Sequence, residues 1–137
     1  MNSPPWSTFS VGDEVANETI HLTRESLVRY AGASGDFNPI HYRDDVAQSV
    51  GLDGVLAHGM LTMGIAIAPV TSWLAGKAMV TSYQVRFTKP VYVPVTGSAG
   101  VTVSVTLHSL GEAPEESATL ALRVTNDEGT TVLGKAI

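Results

Sequence analysis

The 137-residue chain has no cysteine, few charged residues and no cluster of basic ones. Without cysteine, disulfide frameworks, thiolate metal sites and cysteine nucleophiles are excluded, and we expect a cytoplasmic location. Charged residues make up 15% of the chain, against roughly 25% in soluble proteins, which indicates a surface covered by another subunit. Because the net charge is −5 and no two Lys or Arg residues are adjacent, we expect no nucleic-acid partner.

A long uncharged run raises the question of a membrane span. No Asp, Glu, Lys or Arg occurs between residues 54 and 76, a stretch long enough to cross a bilayer. The polar residues His58, Thr62 and Ser72 and the proline at position 69 oppose insertion. A helix that is apolar on every side is equally typical of the centre of a globular core. We therefore expect no membrane span.

Apolar and polar residues alternate along three stretches of the second half of the chain. This period of two predicts strands at residues 82–87, 101–107 and 118–125. Turn-forming residues at 126–129 separate the last of these from a further strand at 130–136. The valines and threonines suit a half-buried pleated surface, so we expect an antiparallel meander.

The first half of the chain begins with a strand and then turns helical. Residues 15–22 are predicted to form the strand. Thr23 is a suitable cap for a helix in which Leu27, Tyr30 and Ala31 share one face.

Residues 34–39 are predicted to form a loop, because Gly, Asp, Asn and Pro all disfavour a helix there. Asp44 and Asp45 are placed to begin a short helix. The uncharged helix then runs from about residue 59 to 68, with Pro69 near its end or at a kink. One apolar helix followed by four or five antiparallel strands predicts an α+β fold in which the sheet wraps the helix.

The densest chemical signal is the loop that ends at His41. Asp36 and His41 are five residues apart, with Asn38 between them. A carboxylate beside an imidazole can orient the ring, form a shared acid/base pair and position one water. Residues of these types are also favoured in loops for backbone reasons alone, so the spacing leaves a structural role open.

The second signal is His58-Gly59 at the start of the uncharged helix. A helix N-terminus offers unpaired N–H groups, and a glycine there lets a thioester carbonyl approach them. The alternative is that Gly59 only permits close helix packing. A metal site built from Asp36, His41 and His58 has suitable residue types but no compact spacing motif, so we expect no metal.

The run from Tyr30 to His41, followed by residues 57–60, resembles the hydratase-2 signature of MaoC-like (R)-specific enoyl-thioester hydratases and dehydratases. The likeness extends to residues 59–64 and 85–87. It implies a single hot-dog domain over residues 1–137, a curved antiparallel sheet wrapped around a central helix. It also implies reversible hydration of a trans-2-enoyl thioester to an (R)-3-hydroxyacyl thioester, without a cofactor.

The same resemblance implies a role for four residues. Asp36 and His41 are the acid/base pair that binds the water, and Asn38 is the amide that shapes the site. The N–H of Gly59 holds the thioester oxygen. Three small residues of the apolar helix are expected to leave room for an acyl chain: Gly64, Ala66 and Ala68.

The expected partners also follow from the resemblance. The acyl group arrives as a thioester of coenzyme A or of acyl carrier protein. Hot-dog units of this length pair as homodimers or as heterodimers with a related hot-dog subunit, and both remain open. An acidic carrier protein would prefer a basic patch, for which Arg43, Lys77, Arg86 and Lys89 are the candidates.

Two other functions remain open at this stage. One is a hot-dog thioesterase that hydrolyses the same thioester, which the intact Asp36, Asn38 and His41 disfavour. The other is a non-catalytic subunit of a dehydratase complex, in which loss of the Asp or the His would be expected.

Overall fold

The computed structural model describes residues 3–112, 114 and 116–137. The strands are β1 (Glu14–Leu22), β2 (Arg86–Phe87), β3 (Ala99–Leu110), β4 (Ala118–Thr125) and β5 (Thr131–Ala136). They form one antiparallel sheet in the order β1-β3-β4-β5-β2. The helices are α1 (Arg24–Ser34), α2 (Asp44–Ser49) and α3 (Gly59–Leu74), with short 3-10 turns at Pro5–Thr8 and Pro39–His41.

The core lies between the sheet and α3. The predicted alternation along β3 is confirmed, because every second residue from Val101 to Leu107 is fully buried. Ala66, Val70 and Leu74 of α3 belong to the same apolar cluster as the β3 valines. Burying a side chain of this size contributes about 1.5–3 kcal/mol, so this contact is a main source of stability.

Helix α1 ends directly before the loop that contains most of the predicted site residues. Thr23 is its N-cap, as predicted, and forms a reciprocal capping box with Ser26. Leu27 and Ala31 anchor one face in the interior. Gly35 ends the helix in the left-handed conformation, at φ 76°, which a glycine adopts without strain.

A hydrogen-bonded carboxylate ties α1 and α2 to the segment that leads into α3. Asp44 pairs with Arg24 at 3.0 Å and accepts the Val55 N–H at 2.9 Å. The Val55 bond and then the Arg24 guanidinium hold the pKa of Asp44 below its usual value. Arg24 also donates to the Val93 carbonyl at 2.7 Å, so one cluster fixes four segments around the site.

Helix α3 is longer than the sequence predicts. It continues past Pro69 to Leu74 instead of ending near residue 68. Pro69 removes one helical hydrogen bond, but it is buried, and the core contacts of Val70 and Leu74 offset that loss. Among the described residues, no helix is long and apolar enough to cross a membrane.

One further expectation is wrong in part. Of the predicted strand at 82–87, only Arg86–Phe87 forms a strand, and Gln84 exchanges two main-chain hydrogen bonds with Ile137, which lies beyond the end of β5. The three small residues of α3 differ in burial. Gly64 and Ala68 are exposed while Ala66 is fully buried, since residues two apart in a helix point in different directions.

Candidate active site

The loop after α1 fixes Asp36 at three points. Its N–H donates to Ser34 Oγ at 3.1 Å, and its carboxylate Oδ1 accepts the Asn38 N–H at 3.1 Å. The ring of His58 lies 3.2 Å, through Nε2, from the main-chain carbonyl of Asp36. The second carboxylate oxygen, Oδ2, faces His41 Nε2 at 3.9 Å, and the Asp36 side chain is half exposed.

His41 is buried and held in a defined tautomer. Its Nδ1 lies 2.7 Å from the Leu56 carbonyl oxygen. Because a carbonyl only accepts, Nδ1 carries the hydrogen and Nε2 of the neutral ring carries the lone pair. That lone pair is on the side of Asp36 Oδ2, so a water or hydroxyl touching both groups would meet an acid/base pair. The two residues that the sequence predicts as a pair are therefore brought together.

Asn38 joins the two members of the pair. Its side-chain oxygen accepts the Ile40 N–H at 3.2 Å and so caps the 3-10 turn that contains His41. Its own N–H bonds to the Asp36 carboxylate. Asn38 thus forms one hydrogen bond to Asp36 and one within the turn that contains His41.

Gly59 is the first residue of α3, where the N–H groups have no acceptor within the helix. Gly59 and His41 line the same cavity, of about 310 Å³, together with Thr62, Phe87 and Lys89. A Cβ built at Gly59 would lie 3.1 Å from the Phe87 ring. The glycine therefore serves close packing, and it also leaves the helix end open toward the cavity.

The basic residues do not form the single patch that the sequence suggested. Lys89 lines the cavity beside His41, whereas Lys77 follows the far end of α3 and lines a different cavity. Arg43 is paired with Asp45 at 2.6 Å. Lys77 and Lys89 therefore lie at different cavities, a separation that only the tertiary fold reveals.

That second cavity has a volume of about 700 Å³ and surrounds the C-terminal half of α3. Ile67, Val70 and Trp73 of the helix line it, with Trp6 and Tyr83 opposite. The Tyr83 hydroxyl donates to the Met63 carbonyl, and burial raises the pKa of Tyr83. None of the candidate catalytic residues lines this cavity.

His58 lies beside the predicted site residues, although the sequence prediction did not include it among them. Its ring is 1% exposed and stacks on His41, with centroids 3.8 Å apart and planes at 23°. Tyr30 packs against its other side, edge to face, at 4.7 Å. Burial, together with the neighbouring His41, lowers the pKa of His58 against the raising effect of the Asp36 carbonyl bond. Its position directly before Gly59 was the available signal.

Asp36, His41 and His58 have one donor atom each within 4.8 Å of one another, and no other such group occurs among the described residues. The lone pairs of an imidazole lie in the plane of its ring. Two stacked rings therefore direct their lone pairs along nearly parallel planes, not toward a common ion. This geometry argues against a shared metal.

Comparison with known proteins identifies the family. The family described as "MaoC like domain" matches residues 8–119, most of the chain. The chain therefore belongs to the MaoC-like domain family. A solved structure described as a MaoC-like dehydratase superposes with a TM-score of 0.90 at 33% identity, covering 97% of this chain and 40% of that one. The sheet packed against α3 is thus the hot-dog fold, as the resemblance implied.

Two curated relatives are each similar to part of the chain. The 3-hydroxyacyl-thioester dehydratase X of Mycobacterium tuberculosis is 36% identical, over 56% of this chain and 26% of its own length. The (R)-specific enoyl-CoA hydratase of Rhodospirillum rubrum is 33% identical, over 61% of this chain and 58% of its own. The match therefore spans less than two thirds of either relative.

Proposed function

We propose that this chain catalyses the reversible addition of water to a trans-2-enoyl thioester, giving the (R)-3-hydroxyacyl thioester. The observation that carries the proposal is the Asp36–His41 pair. Asp36 Oδ2 lies 3.9 Å from His41 Nε2, and the tautomer of His41 leaves the lone pair on this Nε2. Membership of the MaoC-like family and the names of the two relatives support the same reaction class.

In the hydration direction, water is held between Asp36 Oδ2 and His41 Nε2. Its oxygen attacks Cβ of the enoyl group while the pair removes a proton, and Cα receives a proton. Dehydration is the reverse at the same site. The two proton transfers are assigned to the Asp36–His41 pair rather than to either residue.

The thioester oxygen gains negative charge as the enolate forms. We assign the stabilisation of this oxygen to the N–H of Gly59. Gly59 lies at the positive end of α3 and lines the same cavity as His41. Asn38 keeps the pair in place through its two bonds to the loop. The mechanism needs no cofactor and no metal.

We further propose a second hot-dog subunit as partner, either an identical copy or a related chain. Three large apolar side chains near the site are more than half exposed: Phe37, Met60 and Phe87. Covering them would also close the cavity side of the site. The acyl donor is a thioester of coenzyme A or acyl carrier protein, and we keep the prediction of a cytoplasmic location.

The test is loss of the conjugated-enoyl absorbance of a trans-2-enoyl-CoA, with the chirality of the product determined. We expect an (R)-3-hydroxy product, and Asp36→Asn and His41→Ala should each lower turnover by about 10²–10⁴-fold. His41→Asn is the matched variant, because its amide can still donate to the Leu56 carbonyl while it lacks the distal nitrogen. It should remain folded and inactive.

Other outcomes separate the alternatives. Release of free thiol without hydration would identify a thioesterase. Inactivity alone and with candidate partner subunits would identify a non-catalytic chain. Wild-type rates in both Asp36→Asn and His41→Ala would refute the site assignment.

A further inference from the structure

His58 is a buried polar side chain that the proposed chemistry does not use. It lies at the junction of three segments: Tyr30 of α1 packs on its edge, Asp36 accepts from its Nε2, and His41 stacks on its face. Burying a polar ring this completely is unfavourable unless its contacts repay the loss of hydration. The other ring nitrogen, Nδ1, has no hydrogen-bond partner among the described residues.

These contacts indicate the protonation state of the ring. The Asp36 carbonyl can only accept, so Nε2 carries the hydrogen. A second hydrogen on Nδ1 would be buried without an acceptor among the described residues. Burial accordingly lowers the pKa of His58. The titratable groups facing the ring are Tyr30, Asp36 and His41, and a neutral His58 adds no positive charge beside the Asp36–His41 pair.

The two members of the catalytic pair depend on His58 to different degrees. His41 has its own anchor, the 2.7 Å bond to the Leu56 carbonyl. The main-chain carbonyl of Asp36, by contrast, accepts a hydrogen bond from His58, which lies 22 positions away in the chain. The hydrogen bond to Asp36 is therefore the contact whose loss should displace the carboxylate relative to the imidazole.

We propose that His58 is a positioning residue, which sets the distance between the Asp36 carboxylate and the His41 ring by donating Nε2–H to the Asp36 carbonyl and stacking on His41. It does not itself transfer a proton to substrate. The inference rests on the proposed hydratase activity for its kinetic test.

The experiment compares three substitutions that separate the two contacts. His58→Gln keeps a donor near the Nε2 position, His58→Phe keeps a flat ring without a donor, and His58→Leu keeps neither. In the leucine variant kcat should fall by about 100-fold with KM changed less than about threefold, as expected for a misplaced catalytic group. The glutamine variant should recover to within about tenfold of wild type and exceed the phenylalanine variant. His108→Gln, an exposed histidine of β3, is the matched control and should be unaffected.

A pH profile distinguishes positioning from proton transfer. Glutamine does not titrate, so a positioning role predicts that the acidic limb of kcat/KM remains in His58→Gln. Disappearance of that limb would make His58 the base and overturn the inference. Wild-type kcat in the leucine variant, or a glutamine variant no better than phenylalanine, would also overturn it.

An NMR readout keeps this inference separate from the proposed function. The Asn38 N–H bonds to the Asp36 carboxylate, so its hydrogen exchange reports the placement of Asp36 without any substrate. Exchange should accelerate in His58→Leu and His58→Phe but not in His58→Gln. If wild-type protein hydrates no enoyl thioester, the proposed function fails while this exchange test still decides the role of His58. Equal exchange in wild type, His58→Phe and His58→Gln would refute that role, and this comparison does not depend on the stability of the leucine variant.

Discussion

The two ends of α3 differ in what surrounds them. At the N-terminal end, the ring of His58 and the main chain at Gly59 meet a hydrogen-bonded loop that carries Asp36 and His41. At the C-terminal end, Val70 and Leu74 are buried among apolar strand residues. The same uncharged helix thus has polar groups at one end and apolar contacts at the other, so the proposed chemistry and the burial of apolar side chains lie at different ends.

The strongest test of this separation is Leu74→Ala. Truncating a leucine that is only 6% exposed should lower the free energy of unfolding by about 2–5 kcal/mol, measured by denaturant titration. The catalytic pair lies at the other end of the helix, so kcat of the folded variant should stay near the wild-type value. A large fall in kcat at a temperature where the variant is fully folded would show that the two ends are coupled.

A smaller effect is expected from a matched pair of glycines in α3. A Cβ at Gly59 would press on the Phe87 ring at 3.1 Å, whereas one at Gly64 meets nothing within 4 Å. Gly64→Ala should therefore stabilise the protein by roughly 0.5–1 kcal/mol, because alanine is the better helix former. Gly59→Ala should instead lower kcat/KM by roughly tenfold, about 1.4 kcal/mol, by crowding the helix end. Equal kinetic effects of the two substitutions would contradict the role of Gly59.

The smallest expected effect is a pH dependence confined to the polar end. An unfolded histidine has a pKa near 6.5, and burial lowers that of His58 in the folded chain. Below that pH the unfolded state binds a proton that the folded state does not. The contribution of His58 to the free energy of unfolding is therefore fully present above about pH 6.5 and decreases as the pH falls toward the folded pKa. Between about pH 7.5 and 5.5 the thermal midpoint of His58→Gln should therefore fall less than that of wild type. Leu74→Ala should follow the wild-type slope, and parallel curves for wild type and His58→Gln would contradict the neutral, buried state.

Much of the fold could be predicted from local patterns. The alternation around Val103 locates β3 because it reports a half-buried strand, and Thr23 marks the start of α1 because its hydroxyl caps the helix. The end of α3 could not be predicted, since packing of Leu74 outweighs the local effect of Pro69. The pairing of Gln84 with Ile137 could not be predicted either, because alternation of polar and apolar residues does not reveal which segment a strand pairs with.

The candidate site divides in the same way. Asp36, Asn38 and His41 lie within six residues of one loop, so the sequence alone predicts that they are close in space. The stacking of His58 on His41 joins residues 17 positions apart, from two segments whose approach depends on the docking of α3. No local pattern encodes that approach, which explains why His58 was not among the four predicted site residues.

The bonds that hold the site have a consequence for folding. His41 is anchored to Leu56, 15 residues away, and Asp36 to His58, 22 residues away, so the bonds within the loop are supplemented by two bonds to distant segments. The loop therefore acquires its working geometry only when the start of α3 packs against it. In a refolding experiment, catalytic competence should appear together with the buried core, and no earlier collapsed species should be active.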